Sequence, residues 1–217
     1  MWSLRAASVS AILLAAPAGA HPHIFIDAGL GLVVDDKGQL IAVEVRWTYD
    51  EFYSLVIVED WGLDADRDGV LSREDASQLA GFDLQFSDGY TGALEVLGAT
   101  GEAALGDPIE PRVSLDNGQL VSTHIRPLKT PLGGVTEIRT YDPTYYASIV
   151  LTLGATLEGA GAAGCAVTYQ PADLNAASSM LEEMLFGPDA KAYSEDDFPA
   201  IGIAFADAVT LSCAPPA

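Results

Sequence analysis

The chain has 217 residues, of which 49% are hydrophobic and 19% are charged, a composition typical of globular proteins. It carries 31 acidic and 10 basic residues, which gives a formal net charge of −21 at pH 7. This charge argues against a nucleic-acid-binding protein, because phosphate contacts come from Lys and Arg, and equally against binding to an anionic membrane surface. Cations and basic partner surfaces are the ligands that it favours.

The first 20 residues are typical of a signal peptide. Arg5 provides the positive charge, residues 6–16 form an apolar run, and Ala18-Gly19-Ala20 supplies the small residues of a cleavage site. The apolar run is too short to span a bilayer as a mature helix. We therefore predict export with cleavage after Ala20, no direct membrane insertion after cleavage, and a single compact domain over residues 21–217.

The first two predicted strands form a hairpin. Apolar and polar residues alternate over residues 41–49, which indicates a half-buried strand, and residues 23–34 precede it across the turn Asp35-Asp36-Lys37-Gly38. Asp50 and Ser72 are candidate N-caps of two helices that end near Trp61 and Ala80. Together these helices predict a helix–loop–helix insertion at about residues 50–80.

The loop between these helices, residues 64–75, matches the register of an EF-hand calcium loop. The predicted ligands are Asp64, Asp66, Asp68, the Val70 carbonyl and Asp75. Gly69 allows the sharp turn, and this density of oxygen atoms suits Ca²⁺, which takes six to eight oxygen ligands. The twelfth residue of the loop is Asp75 instead of the usual bidentate Glu. The affinity of the loop for an ion and its preference for calcium over magnesium therefore stay open. The alternative is an acidic turn that binds no ion.

The remaining elements predict an α+β fold with a mostly antiparallel, sandwich-like sheet and a C-terminal helix. The further strand candidates are residues 82–86, 113–115, 120–125, 135–141, 148–153 and 166–169. The turn Asp116-Asn117-Gly118 predicts a second hairpin. A helix over residues 173–186 carries an apolar stripe that we expect to pack in the core. Its members are Ala177, Met180, Leu181, Met184 and Leu185.

Cys165 and Cys213 are the two cysteines of the chain. In an exported protein an isolated pair indicates one disulfide bond. The bond would close a loop of about 49 residues and stabilise the fold by about 4 kcal/mol in the chain-entropy model. The alternative is a pair of free thiols.

Three histidines are candidate ligands of a transition metal. After cleavage, His21 could chelate an ion with its free amine and its imidazole, and His23 follows on the same face of an extended strand. Pro22 blocks the copper chelate that uses deprotonated backbone amides, because proline has no N–H. His124 lies in a predicted strand, on the face it shares with Ser122. Imidazole suits Zn²⁺, Ni²⁺, Co²⁺ and Cu²⁺; the alternatives are a frayed terminus and an ordinary strand histidine.

Four segments of the chain carry a family resemblance. They are His21–Asp27 (HPHIFID), Arg46–Tyr53 (RWTYDEFY), Tyr141–Tyr146 (YDPTYY) and Phe205–Val209 (FADAV). They resemble a bacterial family of unknown function described as the periplasmic component of an uncharacterised ABC-type transport system. The resemblance implies a periplasmic location and an association with transition-metal transport, particularly of nickel, cobalt or zinc. Asp142, Tyr145 and Tyr146 match a family motif without an assigned role; turn and core positions are the alternative for them.

The leading hypothesis is therefore an exported, periplasmic metal-binding accessory protein with a separate calcium loop and a membrane transporter as partner. The chain contains no serine-hydrolase, zinc-protease, dinucleotide-binding or P-loop motif, so we do not expect an enzyme. Two alternatives stay open. One is a copper-dependent oxidase that uses an amino-terminal histidine chelate, and the other is a structural module stabilised by calcium alone.

Overall fold

The structure, a computed structural model, describes residues 22–84, 92–188, 190–191, 193 and 198–214. The predicted signal peptide, its cleavage point and His21 lie outside the described residues. None of the helices in the described ranges has the length and the hydropathy needed to cross a membrane.

Ten strands and three α-helices make up the regular structure of the described residues. The strands are β1 (Ile24–Val34), β2 (Leu40–Tyr49), β3 (Leu94–Gly98), β4 (Gly101–Glu102), β5 (Ile109–Asp116), β6 (Gln119–Leu132), β7 (Val135–Thr140), β8 (Ala147–Glu158), β9 (Cys165–Gln170) and β10 (Ala208–Cys213). The helices are α1 (Glu51–Asp60), α2 (Arg73–Leu79) and α3 (Leu174–Phe186).

The strands form two five-stranded sheets. The first sheet has the order β5-β6-β2-β1-β8, and the second has the order β4-β3-β7-β10-β9. Neighbouring strands are antiparallel except β1 and β8, which run parallel. Helices α1 and α2 follow β2, as the sequence predicts, and the α+β, mostly antiparallel class is confirmed.

One hydrophobic cluster joins both sheets. Leu32 of β1 and Val45 of β2 are fully buried in the first sheet, and Val96, Ile138 and Val209 are fully buried in the second. Each strand of the β1–β2 hairpin buries one side chain in two, because successive residues point to opposite faces of a sheet. The alternation in the sequence therefore marks the side chains that form the core.

The helix caps agree with the sequence. The Asp50 carboxylate accepts a hydrogen bond from the Tyr53 N–H at 2.9 Å, and Ser72 accepts one from the Asp75 N–H at 3.1 Å. Side-chain oxygens at these positions satisfy backbone donors that have no partner within the helix. Local hydrogen bonds therefore fix where both helices begin, and the start of α2 lies at the end of the acidic loop.

The strand expected at residues 82–86 is wrong for its described part. Gly81 has a φ of +82°, and Phe82 and Leu84 donate backbone hydrogen bonds to Leu79 and Gly81, so the chain turns back after α2. The continuation, residues 85–91, lies outside the described residues. The turn places Asp83 beside the first sheet, where its carboxylate meets the β2 and β6 side chains described below.

The sequence analysis does not predict strands β3 and β10, although both carry buried alternating residues.

The expected core position of the α3 stripe also needs correction. In α3 only Ala177 is buried, whereas Met180 is 42% exposed and the other members of the apolar stripe are half-buried. This helix packs beside the short turn at residues 202–205 and does not enter the space between the sheets.

The predicted disulfide bond is present. Cys165 and Cys213 are register partners on β9 and β10, and their sulfur atoms are 2.04 Å apart. Gly38, in the turn of the β1–β2 hairpin, lies against both cysteines, so the bond adjoins the first sheet as well as closing the edge of the second.

Candidate metal sites

The acidic loop brings three of its predicted ligands together. Asp64, Asp66 and Asp68 each offer a carboxylate oxygen, and these atoms lie within 4.8 Å of one another. The Asp64 carboxylate accepts hydrogen bonds from the backbone N–H groups of Asp68 and Gly69, at 3.1 and 3.2 Å. Among the described residues, no other group of three or more His, Cys, Asp or Glu side chains is close enough to hold a metal ion.

The backbone of the loop has the left-handed turns that this convergence requires. Gly69 has a φ of +79°, which glycine adopts without a steric penalty, and Asp64 and Arg67 have φ values of +50° and +57°. Aspartate tolerates this region better than most residues. The loop therefore curls its acidic side chains toward one point.

The other two predicted calcium ligands, Val70 and Asp75, make hydrogen bonds to neighbouring residues. Asp75 accepts hydrogen bonds from the Ser72 hydroxyl at 2.8 Å and the Ser72 N–H at 3.3 Å, which completes a capping box at the start of α2. Val70 is 61% exposed and donates its N–H to the Asp68 carboxylate at 2.9 Å. In this geometry Asp75 caps the helix and does not join the three convergent carboxylates.

The two histidines that the structure describes differ in their surroundings. His23 is exposed just before β1, its ring centroid lies 4.7 Å from that of Tyr146, and its N–H donates to the Tyr146 carbonyl at 2.8 Å. His124 is 2% exposed in the middle of β6, opposite Val45 of β2. His23 is therefore at the surface, whereas His124 is in the interior. His21 lies outside the described residues, and the amino-terminal chelate stays a prediction.

Asp142 of the YDPTYY segment organises a turn. Its carboxylate accepts bonds from the Thr144 N–H and hydroxyl, both at 2.9 Å, and from the Ala147 N–H at 3.0 Å. Tyr145 has a φ of +59° and stacks on Phe205 with a centroid distance of 3.9 Å. These contacts account for the segment as a structural corner between β7 and β8.

His124 lies at a small cavity of about 70 Å³. The cavity is lined by Ile26, Trp47, Tyr49, Asp83, Leu84, Gly92, Ala93, His124, Ala147 and Ile149. Among the described residues, neither ring nitrogen of His124 has a hydrogen-bond partner. Burial, with a smaller contribution from Arg126, lowers the pKa of His124 to about 4, although Asp83 opposes this shift. The imidazole is therefore neutral at pH 7 and can offer a lone pair to a ligand.

Asp83 is held in place beside this histidine. Its Oδ2 accepts a hydrogen bond from the Tyr49 hydroxyl at 2.8 Å and another, short one from the Ser122 hydroxyl. Burial and the neighbouring Asp83 carboxylate raise the pKa of Tyr49 well above its ordinary value, so the phenol stays protonated and remains a donor. The arrangement combines a neutral imidazole with an oriented carboxylate in one small cavity.

The sequence predicts only part of the arrangement around His124 and Asp83. Ser122 and His124 share one face of β6, as the sequence predicts, and the structure shows that this face is buried. Asp83 belongs to no motif and was assigned to a strand, so its role depends on the turn after α2.

Comparison with known proteins identifies the family of the chain. No curated protein matches the chain. A family model described as a protein of unknown function, DUF1007, matches residues 6–213, which include the acidic loop, His124 and both cysteines. The chain therefore belongs to the DUF1007 family of proteins of unknown function.

Proposed function

We propose that this protein is an exported metal-binding accessory protein that serves transition-metal transport and carries a separate calcium-binding loop. The observation that carries the proposal is the convergence of Asp64, Asp66 and Asp68 within 4.8 Å, in a loop with EF-hand register. Hard dications prefer oxygen ligands, and three carboxylates supply both the ligands and the compensating charge.

Calcium in this loop would stabilise the fold. Leu63 and Leu71 lie on either side of the three carboxylates, and both side chains are buried in the hydrophobic core. An ion held between them would therefore fix the loop that connects α1 to α2. Asp75 must leave its capping box to reach such an ion, so we expect moderate affinity.

We predict that calcium raises the melting temperature of the mature protein and that Asp68→Ala abolishes this rise. At a hundredfold excess over Kd, an ion that binds only the folded state adds about 2.7 kcal/mol to the free energy of unfolding. The measurement is thermal unfolding with millimolar calcium or with chelator. Asp36→Ala, in the exposed turn of the first hairpin, is the matched control and should keep the full calcium response. A parent protein whose melting temperature ignores calcium would show that the loop is an ordinary acidic turn.

The transition-metal part of the proposal rests on other observations. The signal-like start and the Cys165–Cys213 bond fit an oxidising compartment outside the cytoplasm. Cleavage after Ala20 would free the amine of His21 next to two imidazoles. The resemblance to the periplasmic component of an ABC-type transport system supplies the association with a transporter of nickel, cobalt or zinc.

We predict that an amino-terminal chelate depends on the free amine of His21. Titration calorimetry with nickel should show tight binding to the mature protein and strongly weakened binding to a form extended by one alanine, because extension turns the amine into an amide. Ligand nitrogens must be unprotonated, so the affinity should fall as the pH drops below about 8 for the amine and about 6.5 for the imidazoles. His23→Ala should also weaken binding. Equal nickel affinity in all three forms would contradict an amino-terminal site.

A second candidate function is a structural module that binds calcium alone. It is favoured because the three aspartates are the one group of this size and geometry among the described residues. Metal analysis of protein purified from the exported fraction separates the two. Calcium together with zinc, nickel or cobalt supports the accessory protein, whereas calcium alone supports the structural module.

A further inference from the structure

We propose that the cavity at His124 is a buried transition-metal site, with His124 and Asp83 as its protein ligands and water completing the coordination shell. The inference rests on the proposed metal-binding function, but it places a transition ion in the interior and not at the amino terminus. Zinc, nickel and cobalt are the ions that an imidazole and a carboxylate suit.

The first support is the histidine itself. His124 is 2% exposed, and within the part of the chain that the structure describes neither of its ring nitrogens has a hydrogen-bond partner. Buried polar groups are nearly always satisfied, because an unsatisfied one bears its full desolvation cost. A ligand bound in the cavity would therefore provide the partner that the ring nitrogens lack.

The second support is the carboxylate beside it. Asp83 lines the same cavity, and both of its hydrogen bonds, from Tyr49 and Ser122, end on Oδ2. Within the described residues no hydrogen bond ends on Oδ1, which leaves this oxygen for another partner. Metal-binding carboxylates are usually oriented by such outer hydrogen bonds, and Tyr49 and Ser122 have that role here.

The size and the charge of the cavity determine which kind of ligand it can hold. A volume of about 70 Å³ accommodates an ion with one or more waters but not an organic metabolite of ordinary size. The Asp83 carboxylate would compensate part of the charge of a dication, whereas Arg126, two residues from His124 on the same face of β6, is a buried cation that opposes it. We expect calcium to bind weakly in this cavity, because calcium takes oxygen ligands and the imidazole offers nitrogen.

Trp47 provides a direct probe, because it lines the cavity and is 5% exposed. Mature protein lacks Trp2, so a Trp61→Phe background leaves Trp47 as the single tryptophan. Cobalt(II) quenches tryptophan at short range, and its visible absorption bands report nitrogen and oxygen ligation. We expect saturable quenching of Trp47 by cobalt(II), reversed by chelator, with one equivalent bound in the cavity.

Three variants test the ligands in this background. His124→Asn and Asp83→Asn should each abolish the quenching and lose one equivalent of cobalt, with an affinity loss of about a hundredfold or more. Tyr49→Phe should reduce the affinity by about 10- to 100-fold, the usual effect of an outer-shell partner. His23→Ala and Asp68→Ala are the controls and should quench like the parent. If His124→Asn does not fold by circular dichroism, Asp83→Asn, Tyr49→Phe and quenching in the parent still decide the question.

The outcomes separate this inference from the proposed function. Cobalt binding that survives His124→Asn and Asp83→Asn but is lost in His23→Ala overturns the cavity site and leaves the amino-terminal chelate in place. Absence of quenching in the parent also overturns it and shows that the cavity holds water only. Binding of neither cobalt nor zinc anywhere removes the transition-metal part of the proposed function as well, while the calcium response of the loop is unaffected.

Discussion

Replacing Cys165 and Cys213 together with serine should lower the free energy of unfolding by about 4 kcal/mol. The two cysteines are 48 residues apart in sequence, and the bond restricts the unfolded chain by closing this long loop. Strand β9 begins at Cys165 and β10 ends at Cys213, and the turn that contains Gly38 packs against the bond. Loss of the bond therefore frees the edge of the second sheet and a contact with the first.

Urea unfolding of the parent and of the double variant measures this effect. Parent protein treated with reductant should shift toward the variant, because both lack the covalent link. Ser212→Ala is the matched control on the same strand; its exposed side chain should change the stability by no more than about 0.5 kcal/mol. A double variant as stable as the parent would mean that strand pairing alone holds this edge.

Asp207→Ala should lower the free energy of unfolding by about 3 kcal/mol. Asp207 is 5% exposed and accepts the Leu151 N–H of β8 at 2.9 Å and the Ala172 N–H, just before α3, at 3.0 Å. It thereby connects the first sheet with the segment that leads to α3. The variant leaves two backbone donors without their acceptor, and each such loss costs about 1–3 kcal/mol when the donor is buried.

Asp207→Asn separates the hydrogen bonds from the charge. The amide keeps one oxygen acceptor but turns its NH₂ group toward the second donor, so we expect a smaller loss of stability than for alanine. Asp36→Ala, which removes an exposed carboxylate, should be nearly neutral. If Asp207→Ala unfolds at the same urea concentration as the parent, the two bonds contribute nothing net and water replaces them.

The sequence alone was sufficient for features that depend on neighbouring residues. The β1–β2 hairpin, the Asp50 and Ser72 caps and the EF-hand register each lie within a few residues, so local turn and cap chemistry determines them. The disulfide bond could be predicted because the chain has a single cysteine pair. The period of two in β6 predicted that His124 and Ser122 share a face, but not that this face is buried.

The tertiary structure decided which distant residues meet. Asp83 contacts Tyr49 and Ser122, which are 34 and 39 residues away, and Asp207 binds a strand 56 residues earlier. Periodicity shows which face of an element is buried, but not what packs against it, and for this reason α3 was wrongly expected in the core. The acidic loop is thus a feature of local sequence, whereas the cavity that joins His124 to Asp83 exists only because the turn after α2 brings Asp83 against β2 and β6.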